Sequence, residues 1–348
     1  MSPALLRRHT AALALLAFLV IFPGISSEFW TYQIGAQSLV LGAIALSLVF
    51  LAGYVGRVSL AQLTIAGVAS YATAYFGING VGVGLELPWP FTVLVALAVG
   101  TLVATLIGAV SVRTQGIYTI MITLAIAVGF SYLARQNYDL FNGFTGFNGV
   151  VPPTILGIDL GDPDVFYYLC LAYAVLAYLV VLYVVRTPFG LALQGIRDNP
   201  RRMSALGFKI ERHMIAAFAF SGVIASGAGV LNIWYFKRIS PDSIGPGPIL
   251  NVLIVAVVGG LGHPIGAFVG AVLFVLLETF AIDLIDRERF RLLIGLILLA
   301  IVVASPDGLV GLWRRGAGGR PRSGLSLSEL LSGRRNRPTG DGRKAPAE

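Results

Sequence analysis

The chain has 348 residues, of which 56% are hydrophobic and only 12% are charged. An ordinary soluble domain carries about 25% charged residues, so this composition excludes a soluble globular protein and indicates an integral membrane protein. The net charge of +8 does not indicate a nucleic-acid partner, because nine Arg or Lys and three acidic residues follow Trp313. A basic stretch after the last apolar run is typical of a cytoplasmic membrane flank.

Apolar runs of the length that crosses a membrane, about 20 residues, recur along the chain. They lie near residues 11–25, 35–53, 58–77, 90–111, 116–134, 165–185, 214–236, 249–283 and 291–304. None shows the two-residue alternation of a membrane barrel. The sequence therefore predicts an all-α, polytopic membrane protein with about eight full spans plus a broken or re-entrant hairpin, roughly ten hydrophobic segments. The first run also resembles a secretory signal; we interpret it as the first span.

The distribution of basic residues over the short loops predicts the orientation. Arg7 and Arg8 place the N-terminus inside, and residues 186–213, with six basic and two acidic residues, also lie inside. Residues 134–164, with four Asp and one Arg, lie outside. Lys237 and Arg238 fall on the outer side and are an exception. Both termini are expected to be cytoplasmic.

The run 249–283 is interrupted by glycines and a proline. This break matters for the number of membrane crossings, because that number decides on which side the basic tail lies. A single crossing there would leave the basic tail outside, whereas a re-entrant hairpin or two crossings keep it inside. Glycine and proline allow such a break, and a broken segment must be buried in protein or line water. Because interruptions in both halves of a transporter often flank its pathway, we predict a transport path at Gly56, Ser59, Gln62, Gly259, Gly260, Gly262, His263 and Pro264.

A simpler interpretation of the same residues is helix packing. Gly262, Gly266 and Gly270 recur every four residues and share one helix face, which close packing alone would produce. His263 beside Pro264 has two interpretations, a proton relay and a structural role at the break. Both interpretations are open at the level of sequence.

Motifs for enzymatic chemistry are missing from the sequence. No phosphate-binding loop, HExxH helix or nucleophile elbow occurs, and the single Cys170 cannot form a cysteine-based zinc site. Arg57, Arg113, Glu278 and Asp283 lie near predicted span ends rather than mid-span. The missing motifs weigh against a membrane enzyme, a metal site or a cofactor site and against ATP hydrolysis by this chain through a phosphate-binding loop, and the absence of a mid-span carboxylate weighs against a proton-driven transporter. The alternative is a polytopic membrane enzyme or structural membrane protein with an unrecognised site.

The inner segment 186–213 is too apolar for a solvated linker. Asn199 can cap a short helix over residues 200–206, Pro200 suits its first turn, and Gly207 suits a left-handed stop. Met203 and Leu206 lie on one face of this helix. Because two turns are too short to be stable alone, the helix docks either on protein or on anionic lipid, which Arg201 and Arg202 would favour.

Five stretches together resemble the inner-membrane permeases of branched-chain amino acid ABC importers, of the LivM-like type. They are GRVSLAQLTIAGVASYATAYF, VRTQGIYTIMITLAIA, FNGFTGFNGVVPP, TPFGLALQGIRDNPRRMSALGF and VVGGLGHPIGAFVGA. The resemblance covers nearly all of residues 35–310. It departs at Ala61 and Gln62, where the family often has Gly-His, and at Pro200, Arg201 and Arg202, where it has an acidic stretch.

The resemblance implies a permease subunit of a bacterial plasma (inner) membrane importer of branched-chain amino acids or related small neutral substrates. It implies a second permease subunit, two ATPase subunits, an extracytoplasmic substrate-binding protein and membrane lipid as partners, and no nucleic acid. Residues 1–312 would form the transmembrane permease domain, and the basic tail 313–348 would be disordered. Segment 186–213 would be the coupling loop, with Arg197, Asp198, Asn199, Met203, Ala205, Leu206 and Gly207 facing the ATPase. The extracytoplasmic loop would contain Asn142, Thr145, Gly146 and Asn148.

Overall fold

Helices make up most of the structure. The computed structural model describes residues 17–284, apart from 83, 115 and 156, together with residue 295 and residues 308–311. Residues 17–25 form helix α1. The further helices are α2 (Phe29–Val55), α3 (Gln62–Phe76), α4 (Trp89–Ser111), α5 (Ile117–Gln136), α6 (Tyr138–Phe141), α7 (Pro163–Arg186), α8 (Pro188–Asp198), α9 (Pro200–Ala205), α10 (Ile210–Phe236), α11 (Pro246–Gly259) and α12 (Ile265–Leu284).

The prediction of a helical, polytopic membrane protein is confirmed. Five of the described helices, α2, α4, α5, α7 and α10, are long and apolar enough to cross a membrane, and α11 and α12 contain shorter apolar helices. Short strands add to the predicted all-α fold: β1 (Phe147–Asn148) pairs antiparallel with β4 (Arg238–Ile239), and β2 (Thr154–Ile155) pairs with β3 (Ile158–Asp159). The predicted segment 291–304, except residue 295, and the predicted tail domain lie outside the described residues.

Helix α2 lies at the centre of the molecule. It packs against α3, α7, α10, α11 and α12, and its Leu46, Leu48 and Phe50 side chains are almost completely inaccessible. Both of its ends are wound as π-helix, at Phe29–Ala36 and at Leu51–Val55. Because π-turns are rare and frequently occur at functional sites, the ends of α2 are candidates for such sites.

The outer helices α4, α5 and α7 bury only one face each. On α4, for example, Leu94, Leu102 and Leu106 are all more than half exposed. A soluble protein rarely exposes a continuous apolar surface of this extent. These faces therefore have the composition expected of a surface in contact with lipid or with another apolar chain.

Small residues set the distance between the central helices. A Cβ atom on Gly222 of α10 would lie 2.2 Å from the Cβ of Ala104 on α4, and one on Gly229 would lie 2.1 Å from the Ala66 carbonyl oxygen of α3. Such contacts leave no room for a side chain. Close backbone approach is the usual basis of helix association in membranes, so these glycines explain how α3 and α4 pack on α10.

The interrupted run 249–283 forms a helical hairpin, as predicted. Helix α11 ends at Gly259, Gly260 has a φ of 111°, and α12 begins at Ile265. A Cβ on Gly259 would lie 1.8 Å from the Gly266 oxygen, and one on Gly270 would lie 2.1 Å from the Val255 oxygen. The packing interpretation therefore holds for Gly266 and Gly270, whereas a Cβ on Gly262 would meet no atom of the described residues within 4 Å.

Both ends of the hairpin lie at one end of the helix layer. Trp30, at the start of α2, contacts Phe280 near the end of α12, with ring centroids 5.8 Å apart. Asp242, just before α11, pairs with Arg135 at the end of α5 at 2.5 Å. We call this end, which carries residues 137–162, the loop face, and we call the opposite end, which carries residues 187–209, the coupling face. Helix α11 has 14 residues, so it is about 21 Å long, less than the roughly 30 Å of a hydrocarbon core.

Candidate functional site

The coupling segment, residues 187–209, folds locally as its sequence predicts. The Asn199 side chain accepts a hydrogen bond from the Arg202 N–H at 3.2 Å, and Pro200 occupies the first turn of α9. Gly207 takes a left-handed φ of 88° just after the helix, and its N–H donates to the Ser204 carbonyl at 3.0 Å. The predicted short helix is thus confirmed, with its end at Ala205.

The two apolar side chains of α9 have different environments. Met203 is half-buried, and its sulfur would lie 2.8 Å from a Cβ on Gly195, so it packs against α8 of the same chain. Leu206 is 72% exposed, and Ala205 and Gly207 beside it are exposed as well. Met203 therefore stabilises the segment internally, and Leu206 is the side chain that remains accessible to a partner.

Arg197 and Asp198 also differ. The Arg197 guanidinium donates to the Gly53 carbonyl of α2 and, through Nε, to the Asp198 carboxylate at 3.0 Å. Its side chain is 22% exposed, whereas that of Asp198 is 68% exposed. Of the seven predicted coupling residues, Arg197 is therefore directed into its own chain, while Asp198 remains accessible at the surface.

A buried polar cluster lies where α3 begins. Gln62 is fully buried, and its Oε1 accepts hydrogen bonds from the Ser47 hydroxyl of α2 at 2.9 Å and from the Ser221 hydroxyl of α10 at 3.0 Å. Its Nε2 has no hydrogen-bond partner among the described residues. The Ser47 and Ser221 hydroxyls also donate to the Ile44 carbonyl at 2.6 Å and to the Ser47 carbonyl at 3.0 Å, so they can equally accept from the amide nitrogen. In either orientation of the amide, one of its polar atoms is left for a ligand or a water molecule, because an unpaired buried group costs about 1–3 kcal/mol.

The residues before Gln62 are not helical, although the sequence predicts a span over 58–77. The Leu60 N–H donates to the Thr123 hydroxyl of α5 at 3.1 Å, and Ser59 is fully buried. Arg57 donates to Thr119 of α5 at 3.0 Å. The segment 57–61 is thus tied to α5 through the Leu60 N–H and the Arg57 side chain, and helix α3 begins only at Gln62.

The hairpin break is held by its own residues. The Ile265 N–H donates to the His263 Nδ1 at 3.3 Å, which satisfies one of the free N–H groups at the start of α12. The Leu261 carbonyl oxygen lies 2.3 Å from the position of a Cβ on Gly53. The His263 contact supports the structural interpretation of this histidine, and Gly53 joins the break to α2.

The two predicted path segments meet α2 at different depths. Gln62 contacts Ser47, and Leu261 contacts Gly53, six residues or about 9 Å further along the helix. Gly56, in the first segment, has a φ of 74° and lies under the Arg197 side chain. The two segments therefore contact α2 at different positions, and the structure does not place Gln62 and His263 in one site.

The predicted outer loop is anchored at the loop face. The Asn142 side chain donates to the Gly146 carbonyl at 2.7 Å, the Gly80 N–H donates to the Asn148 carbonyl at 2.9 Å, and Thr145 is exposed. Asn148 pairs with Arg238 in the β1–β4 ribbon. This pairing places Arg238, the exception to the charge rule, on the same face as the loop.

Several contributing residues are absent from the sequence prediction. Ser47 and Ser221 complete the cluster around Gln62, and Gly53 joins Arg197 to the hairpin. Hydroxyl groups within apolar helices are a weak signal, because Ser commonly bonds to its own helix backbone, as Ser47 does to Ile44 at 2.6 Å. The Arg197–Gly53 and Ser221–Gln62 contacts join residues 144 and 159 positions apart, so no local sequence pattern predicts them.

The described helices thus form a polytopic layer with an interrupted helical hairpin and with a folded segment on the opposite face. The model of one family, described as branched-chain amino acid transport system / permease component, matches residues 31–302. The chain belongs to this family. It is an ABC transporter permease.

Relatives at low identity extend the match. The chain is 25% identical over 324 residues to the high-affinity branched-chain amino acid transport system permease protein LivM of Escherichia coli, covering 86% of this chain and 74% of that protein. A probable LivM of Methanocaldococcus jannaschii is 25% identical over 307 residues, 79% and 84% of the two chains. The ribose import permease protein RbsC of Haemophilus influenzae is 22% identical over 237 residues, 66% and 72%. No solved structure matches this chain.

Proposed function

We propose that this chain forms, with a second permease subunit, the membrane pathway of an importer for branched-chain amino acids or related small neutral substrates. Two separate ATPase subunits power it, and an extracytoplasmic binding protein delivers the substrate. The similarity to two LivM proteins supports the substrate class. Similarity to a ribose import permease makes ribose the competing substrate in the test.

The observation that supports the proposal is the exposed Leu206 at the end of α9, a helix that is too short to be stable by itself. Helix α9 has six residues, too few for independent stability in water, and it is held by its Asn199 cap and by Met203 on Gly195. Leu206 is left 72% exposed at the coupling face. An apolar side chain on a rigid support is a suitable anchor for a partner groove.

The experiment is the substitution Leu206→Asp. Burial of a Leu side chain contributes roughly 1.5–3 kcal/mol, and the introduced carboxylate would have to lose its hydration. We expect the variant to insert normally, to lose its co-purifying ATPase subunits and to lose uptake. Leu85→Asp is the matched control, because Leu85 is 62% exposed but lies at the loop face.

Two results would contradict the proposal. A Leu206→Asp variant that retains both ATPase subunits and uptake would mean that α9 rests on lipid, the alternative that Arg201 and Arg202 favour. A wild-type chain that purifies without any ATPase would contradict the proposal that the chain is a subunit of an ATPase-powered importer. Uptake of labelled leucine and of labelled ribose by a deletion strain carrying the wild-type chain decides between the substrate classes.

A further inference from the structure

The C-terminus of α2 ends in an unusual turn. In the π-helical stretch Leu51–Val55, the N–H groups of both Gly56 and Arg57 donate to the Leu51 carbonyl. The last carbonyl groups of a helix have no partner within it. Arg197 supplies one for Gly53 from α8, 144 residues along the chain.

The position of the Arg197 side chain is tightly determined. A Cβ on Gly56 would lie 2.5 Å from the Arg197 Cγ, so the side chain lies directly over the turn that ends α2. Its guanidinium is shared between Gly53 and Asp198. In contrast, Arg201 and Arg202 of the same segment are exposed. Arg197 is therefore built into the contact between α8 and α2.

Gly53 has a second neighbour on its other side. A Cβ there would lie 2.3 Å from the Leu261 carbonyl oxygen, at the tip of the α11–α12 hairpin. The tip is packed in turn against residue 308, because a Cβ on Gly308 would lie 2.4 Å from the Gly260 Cα. Direct contacts thus lead from the Arg197 side chain of α8 to Gly53, and from the Gly53 backbone to the hairpin tip.

From this arrangement we propose that Arg197 is a positioning residue that transmits movement of the coupling segment to the hairpin tip. The inference rests on the proposed function, because the movement has to come from an ATPase docked on α9. Helix α9 is joined to α8 by Met203 on Gly195, and α8 to α2 by Arg197 on Gly53. A displacement of α9 therefore shifts Gly53 and the Leu261 carbonyl that lies against it.

The chemistry of the link requires arginine. A guanidinium presents several N–H donors in a fixed plane and can hold a carbonyl and a carboxylate together, whereas an ammonium group is a compact charge on a flexible stem. Arg197 uses Nη1 for Gly53 and Nε for Asp198. Lysine is expected to retain the attraction to Asp198 and to lose the defined geometry to α2.

The experiment uses the complex purified through a tag on the full chain, with Cys170→Ser, which removes the only cysteine, and Gly262→Cys. A Cβ at Gly262 meets no heavy atom of the part of the chain that the structure describes within 4 Å, so a nitroxide label there reports on the hairpin tip. ATP with vanadate is expected to change the spectrum of the parent complex. Losing a hydrogen bond to a charged group costs at least about 1.4 kcal/mol, so Arg197→Ala should lower the equilibrium constant between the two spectral states by about tenfold, while ATP hydrolysis continues.

Two further variants make the test specific. Gly53→Ala places a methyl group against the Leu261 oxygen without touching the coupling segment, and it should suppress the response of the label in the same way. Arg201→Ala, at an exposed position of α9, should leave the response unchanged. Arg197→Lys should restore only part of it.

The outcomes separate this inference from the proposed function. A parent complex that hydrolyses ATP without any change at the label, or an Arg197→Ala complex that responds fully, would overturn the inference alone. Loss of the ATPase subunits in Arg197→Ala would also overturn it, because the residue would then act at the partner surface. A chain that purifies without ATPase subunits would overturn the proposed function as well.

Discussion

The hairpin makes the substitution Gly259→Ala a stringent test of the fold. The added Cβ would lie 1.8 Å from the Gly266 oxygen and 3.1 Å from the Gly270 nitrogen. Van der Waals contact needs about 3.5 Å, and both neighbours are backbone atoms that cannot rotate away. Helices α11 and α12 must therefore separate, and the contacts between them are lost.

Two effects of opposite sign determine the magnitude. Alanine is favoured over glycine by up to about 1 kcal/mol in a helix, and overpacking of a close contact costs about 1–3 kcal/mol or more. Because the overlap is between backbone atoms, we expect the upper end of that cost and a net destabilisation of about 2 kcal/mol. Gly262→Ala adds the same methyl group three residues on, where residues 17–284 and 308–311, as far as they are described, place no heavy atom within 4 Å.

The assay uses the single buried thiol. Cys170 is 1% exposed and is the only cysteine, so a thiol-reactive fluorogenic dye reports thermal unfolding in detergent. Gly259→Ala should lower the melting temperature by about 3 °C, and Gly262→Ala should leave it unchanged. Equal melting temperatures for the two variants would refute the close packing of α11 on α12.

Two other predictions concern the polar cluster and the orientation. Gln62→Leu removes the buried amide together with its unpaired polar atom, while the Ser47 and Ser221 hydroxyls keep the Ile44 and Ser47 carbonyls as acceptors. Stability should therefore stay within about 1–2 kcal/mol of the wild type, with loss of leucine uptake. A much larger loss of stability in the thiol assay would show that the cluster around Gln62 has a purely structural role. In a Cys170→Ser background, a membrane-impermeant maleimide added to intact cells should label Thr145→Cys, on the loop face, and not Ser204→Cys, on the coupling face. Labelling of Ser204→Cys instead would reverse the proposed orientation.

The sequence alone determined the features that depend on local chemistry. Apolar runs of membrane length located the long helices, and glycines followed by proline located the hairpin break at 259–264. Asn199, Pro200 and Gly207 defined α9 to within one residue, because capping and left-handed stops depend on only a few neighbouring residues.

Only the tertiary structure decided which way the side chains of these elements face. Met203 and Leu206 lie one turn apart on the same predicted helix face, yet Met203 packs on Gly195 and Leu206 is exposed. Arg197, predicted to face a partner, instead donates to Gly53. Gln62 begins α3 inside the bundle because segment 57–61 bonds to α5 instead of forming helix. Periodicity specifies a face, but the partner of that face is set by packing between residues far apart in the chain, which no local pattern encodes.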